Sequence, residues 1–255
     1  LVRMKKIAQE VGIDMISTPF SKKEVDFLVD VLDVPFIKVA SMDVNNYPFL
    51  KYIANKKRPI VISTGLSALS EIDKAISVIE AEGNTSIVIL HCVSIYPPED
   101  SQVNLNSITT YQKLYPYPVG FSDHTIGYSI SLTSVALGAC VIEKHFTLDK
   151  NMVGWDHKVS ADEADLKIIC TESKRINTAL GSSRIVSQES KERKNSFRRS
   201  IVAAKDIAKE EIIKDEYLDF KRPGTGLPPE AAEYVIGKPA RRDIGKDQII
   251  DKGDF

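Results

Sequence analysis

The sequence predicts an α/β chain: a TIM-type (β/α)8 barrel followed by a small second domain. Three observations point there. Short runs rich in Val and Ile alternate with amphipathic stretches at the spacing of βα units. Polar and ionisable residues close every one of these runs instead of gathering at one crevice, and no GxGxxG turn follows any of them, which argues against an open doubly wound sheet. After Gly181 the composition changes to a polar, charge-dense stretch and then to a second pattern of short strands and turns.

The elements follow in order. Residues 1–12 read as a helix already in progress, stopped by Gly12, with no strand before it. The expectation is therefore a barrel whose first two βα units are absent from this chain. Strands are expected at 14–17, 36–40, 60–63, 87–92, 119–121 and 140–144, because each is a short apolar run bounded by turn residues. Helices are expected at 22–32, 46–56, 68–82, 104–114, 126–138 and 161–180. The barrel domain is assigned to residues 1–181, a linker to 182–199 and the second domain to 200–255, with a turn-rich loop from Lys221 to Pro229 and a short helix at 229–236. A unit of that size is marginal as an independent fold, so it is expected to dock on the barrel or on a partner subunit.

Bulk properties exclude several classes of function. With 34 basic against 35 acidic residues the net charge is −1, so no global field favours nucleic acid or a membrane surface. No apolar run is long enough to span a bilayer. The three cysteines, Cys92, Cys140 and Cys170, are odd in number and widely spaced, which suits buried thiols in a reducing cytoplasm.

Barrel chemistry sits at the C-terminal ends of the strands. The richest ends are Gly120–Thr125 and Val141–Thr147, which bring His124 and His145 to neighbouring strand rims with Asp123, Glu143 and Lys144 beside them. Two neutral imidazoles at one rim make a site for a divalent metal. Other strand ends carry Thr18, Lys38, Ser41, Asp43, Ser63, Ser94, Tyr96 and Ser122. Hydroxyls, small residues and an inward lysine suit an anionic, phosphate-bearing ligand. His91, alone at its strand end, reads as a hydrogen-bonded structural residue, and Arg198-Arg199 as a solvated face of the linker.

Eight strings in order then resemble one family. They are Ser17–Ser21 (STPFS), Lys38–Ser41 (KVAS), Ser63–Gly65 (STG), Leu90–Pro97 (LHCVSIYP), Gly120–Thr125 (GFSDHT), Glu143–Thr147 (EKHFT), Asp156–Ser160 (DHKVS) and Arg222–Pro229 (RPGTGLPP). The chain resembles the sialic acid synthases, N-acetylneuraminate synthase and its relatives, with the family's antifreeze-like (SAF) domain at the C-terminal end. The resemblance implies metal-assisted condensation of phosphoenolpyruvate with N-acetylmannosamine or a related N-acylated amino sugar, giving a nonulosonic acid and phosphate. It implies His124 and His145 as ligands of a divalent metal, Mn²⁺ first and Mg²⁺ or Co²⁺ as alternatives. Lys38, Ser41, Ser63, Thr18 and Ser122 match phosphoenolpyruvate contacts; Tyr96, Glu143 and Asp156 match residues around the amino sugar, and Ser94 is placed with the substrate-binding residues. Glu143, Asp123 and Asp43 are the carboxylates expected to act in catalysis. Arg222 matches an arginine that reaches the N-acyl group from a partner subunit and Phe197 a linker aromatic beside the same pocket, implying a domain-swapped homodimer in the cytoplasm.

Three departures from the family pattern are visible. Ser94 stands where many members have asparagine, Asp43 where some have glutamate, and Trp155 where proline is common. They raise a different amino sugar as an alternative, one leading to legionaminic- or pseudaminic-type acids. Two further readings of the residues are a metal-dependent barrel hydrolase or lyase using the same histidines, and a non-catalytic chain whose C-terminal module binds sugar.

Overall fold

Residues 1–255 are described by a computed structural model, in which the chain divides into two compact units, Leu1–Ser182 and Ser183–Phe255. In the first unit a helix, α1 (Val2–Val11), ends at Gly12, whose φ of 76° lies in the left-handed region that glycine enters without a Cβ clash. Next, α2 (Lys22–Asp26) runs into a π-helical turn, Phe27–Val31. Ser21 caps α2 by accepting from the Glu24 N–H, while the Glu24 carboxylate accepts from the Phe20 N–H at 2.6 Å.

Five strands then alternate with helices: β1 (Ile37–Val39), α3 (Tyr47–Asn55), β2 (Ile60–Ser63), α4 (Leu69–Ala81), β3 (Ile87–Cys92), α5 (Asp100–Val103), α6 (Asn106–Leu114), β4 (Val119–Asp123), α7 (Ser129–Ala136), β5 (Ile142–Lys144) and α8 (Glu163–Leu180). All neighbouring pairs are parallel and the spatial order is β1-β2-β3-β4-β5. Every crossover steps one place in the same direction. That is the winding of a (β/α) barrel, whereas a doubly wound sheet reverses at a switch point.

The register sorts the side chains. Lys38 pairs with Val61, Ser63 with Leu90, Cys92 with Ser122, and Ser122 with Glu143. Because side chains alternate along a strand, Lys38, Ser63, Cys92, Ser122 and Glu143 share one face. The other face presents Ile37, Val39, Ile60, Ile62, Ile87 and Ile89 to the helix layer, where they are buried with Phe49, Leu50, Ile53, Ile72, Ile76 and Ile79. Val119 and Phe121 continue that layer against Ile108 and Val103. The hydrophobic core therefore lies between sheet and helices, and the polar face is left for chemistry.

The expected strand at 14–17 does not form. The outer edge of β1 stays unpaired, and Ile16 instead packs on the small cluster of Leu28, Leu32 and Val34. The other five expected strands form, with β4 extending two residues further than the apolar run suggests because Ser122 and Asp123 both pair with β5.

The second unit contains α9 (Lys191–Phe197), β6 (Ser200–Ala203), β7 (Leu218–Lys221) and α10 (Ala232–Val235). β6 and β7 are antiparallel, from Ser200↔Lys221 to Ala203↔Leu218. Its own core gathers Ile201, Ala203, Ile207, Ile213, Tyr217, Val235, Ala240, Ile244 and Ile250. The helix α9 lies inside the stretch assigned to a linker; Ser190 caps it by accepting from the Arg193 N–H at 3.2 Å. No helix of the chain is long and apolar enough to cross a membrane.

Candidate active site

At the C-terminal ends of the strands lies a cavity of about 500 Å³, lined by Thr18, Phe20, Lys38, Ala40, Ser41, Met42, Ser63, Leu66, Cys92, Ser94, Tyr96, Ser122, His124, Glu143 and His145. Its floor is a chain of polar contacts across the sheet. The buried Lys38 ammonium donates to Ser63 Oγ at 2.7 Å and to the Val39 carbonyl at 3.1 Å, and lies 3.5 Å from Glu143 Oε2. Ser122 Oγ donates to Glu143 Oε1 at 2.7 Å. Lys38 thus has an acceptor for each of its three donors, which is how an inward ammonium is tolerated at the end of an apolar strand.

The two imidazoles stand together on the same face, two residues beyond Ser122 and Glu143. Their ring centroids are 5.3 Å apart. Tyr96 covers both, at 4.1 Å from the His124 ring and 5.8 Å from that of His145. His124 Nδ1 lies 2.8 Å from the Val93 carbonyl, which can only accept, so Nδ1 carries a proton and Nε2 presents a lone pair in the neutral ring. Burial holds His145 below the ordinary imidazole value, with Asp156 opposing the shift. Burial alone would also lower His124, but its contacts with Cys92 and the Val93 carbonyl raise it, and the same imidazole draws the Cys92 thiol below its usual value against the effect of burial.

No group of three or more His, Cys, Asp or Glu side chains converges here into a closed metal cage. The donor set is instead two neutral-capable imidazoles with the remaining directions open to the cavity. That fits a catalytic divalent metal, whose other positions are taken by water or substrate, better than a structural one.

Gly65 leaves room beside the serines. A Cβ there would stand 2.3 Å from Ser94 Oγ and 2.8 Å from Ser41 Oγ, so a side chain at this position would make those hydroxyls turn.

Not every predicted residue comes to this cavity. Asp43 accepts from Asn46 Nδ2 at 2.9 Å in the turn before α3 and does not line it. Asp123 is fully buried on the opposite face of β4, bonded to Lys144, the Thr125 N–H and Ser131, and does not line it either. Asp156 lines a neighbouring opening of about 600 Å³ with Tyr96, Gly154, Trp155 and Lys158, and its Oδ2 lies 3.9 Å from His145 Nδ1. Phe197 and Arg222 are in the second unit, where the Arg222 guanidinium lies 5.2 Å from the Phe197 ring centroid. His91 donates or accepts nothing in the cavity; its Nε2 lies 2.6 Å from the Val103 carbonyl and its ring stacks on Phe121.

The sequence reading missed Cys92 as a lining residue. Its Sγ lies 3.7 Å from Ser41 Oγ and 3.9 Å from Ser94 Oγ. The signal was present: in a parallel pair with β4, Cys92 falls level with Ser122, and period two puts both on the polar face. The apolar rim of Phe20, Met42 and Leu66 had no such signal, because loop side chains carry no fixed period.

Comparison with known proteins follows the same division of the chain. Residues 1–185 match the NeuB family and residues 198–255 the SAF domain. The N,N'-diacetyllegionaminic acid synthase of Campylobacter jejuni is 41% identical over 246 residues, covering 95% of this chain and 73% of that enzyme. The pseudaminic acid synthase of the same organism is 36% identical over 248 residues, covering 97% of this chain and 72% of that enzyme. The crystal structure of an N-acetylneuraminic acid (sialic acid) synthetase from Leptospira borgpetersenii superposes with a TM-score of 0.71 at 34% identity, over 75% of this chain and 67% of that one. With the barrel winding, the strand-end cavity and the two-unit division all in accord, the chain belongs to the NeuB family and carries a SAF domain at its C-terminal end.

Proposed function

We propose that this protein condenses phosphoenolpyruvate with an N-acylated amino sugar, N-acetylmannosamine or a close relative, to give a nonulosonic acid and inorganic phosphate. The observation that carries the proposal is the single cavity in which Lys38, Ser41, Ser63 and Ser122, suited to a phosphate, face Glu143 and the imidazoles of His124 and His145. A simple anion site would need the cation and hydroxyls but neither histidine. A hydrolase or lyase built on the two histidines would not need the phosphate-binding set.

Each group has a part to play. Lys38 places a positive charge opposite the phosphate, with the serine hydroxyls and Thr18 donating to its oxygens. The enol carbon C3 of phosphoenolpyruvate attacks the aldehyde carbon of the sugar and forms the C–C bond. Positive charge then develops at C2, which the Glu143 carboxylate, held by Ser122 and Lys38, is placed to stabilise. Water adds at C2 and the C2–O bond to phosphate breaks, leaving the 2-keto acid. A divalent metal on His124 and His145, Mn²⁺ in the first instance, would supply Lewis-acid polarisation of the sugar's aldehyde oxygen. Tyr96 and Asp156 line the approach for the amino sugar. Asp43 and Asp123 do not line the cavity and are given no part in this chemistry.

Arg222 and Phe197 are assigned to the sugar site of a partner subunit, which makes the active form a homodimer. Three free cysteines and soluble substrates support a cytoplasmic setting. A second reading of the sugar has its own support: the 41% identity to a diacetyllegionaminic acid synthase, together with the opening beside Trp155, favours a diacetamido sugar.

Phosphate release from phosphoenolpyruvate, with N-acetylmannosamine or a diacetamido-trideoxyhexose and Mn²⁺, tests both readings. Sugar-dependent release that EDTA abolishes and Mn²⁺ restores is expected, and it should vanish in His124→Ala and in His145→Ala. Release that ignores sugar and chelator would overturn the synthase reading, and the sugar giving the higher kcat/KM decides the substrate.

A further inference from the structure

Just outside the cavity, behind the two histidines, lies a buried ion pair for which the proposed chemistry has no use. Asp123 and Lys144 precede His124 and His145 directly and face each other in the β4–β5 register. Their side chains lie on the helix-facing side of the sheet, 0% and 4% exposed, with Lys144 Nζ 2.9 Å from Asp123 Oδ2. The same ammonium donates to the Thr125 carbonyl at 2.7 Å, and Asp123 Oδ1 accepts from the Thr125 N–H at 2.8 Å. Ser131, from the first turns of α7, donates to Asp123 Oδ2.

Lys144 therefore grips the residue before His124 and the residue after it, while itself being the residue before His145. The backbone that carries one imidazole is tied on both sides to the strand that carries the other. A buried ion pair adds little net stability over an apolar pair of similar volume, because both ions lose their hydration. What it does give is a fixed geometry, since each ion is held by several directed hydrogen bonds. β5 is only three residues long; on its far side a single parallel bridge, Phe146↔Ala161, holds the His145 carbonyl to the Ala161 N–H at 2.8 Å, and on its near side the ion pair ties its end to the loop that carries His124.

We propose that Asp123 and Lys144 form a cross-strand clamp that sets the spacing of the two metal-binding imidazoles; they are positioning residues for the metal site. The clamp works through the backbone and touches neither metal nor substrate. Outer partners of metal ligands elsewhere act the same way, orienting the ligand without coordinating it.

This rests on the metal-site reading above, and the test separates the two. Mn²⁺ affinity of the full chain is measured by calorimetry, and imidazole-nitrogen coupling to bound Mn²⁺ by pulsed EPR, for wild type, Lys144→Met, Asp123→Asn/Lys144→Met and Ser131→Ala. The first two variants are expected to bind Mn²⁺ roughly 10- to 100-fold more weakly and to lose coupling to one nitrogen. Ser131→Ala, which keeps the pair and removes one donor, is expected to fold normally and to weaken binding less. A merely structural pair would lower thermal stability and leave the affinity and coupling of the folded protein as in wild type. That result in any folded variant, Ser131→Ala included, overturns the clamp. A wild-type chain that binds no Mn²⁺ overturns the metal-site reading and the clamp with it.

Discussion

Glu143 is the residue on which the proposed chemistry turns. Glu143 is held from both sides, by Ser122 and Lys38, with its carboxylate facing the cavity. Glu143→Gln keeps the shape and the acceptor for Ser122 but removes the charge. If the carboxylate stabilises positive charge at C2, kcat should fall roughly 100-fold or more while KM for phosphoenolpyruvate changes little. An equal loss confined to KM would assign Glu143 to ground-state binding instead. At Gly65 the demand is steric. Gly65→Ala forces a Cβ into Ser94 and Ser41, a strain of about 1–3 kcal/mol that those side chains relieve by turning away. The expected outcome is a raised KM for phosphoenolpyruvate with a smaller change in kcat, read from steady-state kinetics.

The strand is the element that turns sequence into site. Alternation along β1 to β5 sends isoleucines and valines to the helices and Lys38, Ser63, Cys92, Ser122 and Glu143 to the cavity. Gly120 is part of that design. A Cβ there would lie 2.6 Å from Leu90 Cδ2 and 2.7 Å from the Val141 carbonyl, so β4 can close on both neighbours only with glycine. Gly120→Ala should therefore destabilise the first unit by about 1–3 kcal/mol, and its thermal transition should fall by about 2–4 °C per kcal/mol, seen by circular dichroism. An unchanged transition would mean that β4 and β5 part easily, which would also weaken the case for a clamp between their ends. The expected strand at 14–17 shows the limit of reading elements singly: Asp14 and Ser17 are weak strand formers beside the Ile and Val of β1, and Ile16 is drawn onto Leu28, Leu32 and Val34 instead.

At the scale of the whole molecule, the chain has two units with separate cores. The proposed homodimer assigns Arg222 of the second unit to the sugar bound in a partner's cavity. Subunit complementation tests it. Arg222→Ala and His124→Ala should each be inactive as homodimers, and unfolding and refolding them together should recover activity in mixed dimers, where one site keeps both residues intact. No recovery in a mixture shown to contain mixed dimers would place Arg222 at its own chain's site or at none.

By itself the sequence determined the barrel winding, the change of domain after the first unit, and the cavity residues that end strands, because period-two alternation and strand-end chemistry are local. It also carried the pairing of His124 with His145, since two short strands in succession in a parallel sheet become neighbours. Only the tertiary structure decided what the second carboxylate meets. Asp123 lies one residue before His124 and Glu143 two before His145, so alternation separates their faces; the β4–β5 register then sets Asp123 against Lys144 behind the cavity. A shift of one residue in that register would part Asp123 from Lys144, and register is set by contacts between distant segments, not by either strand alone.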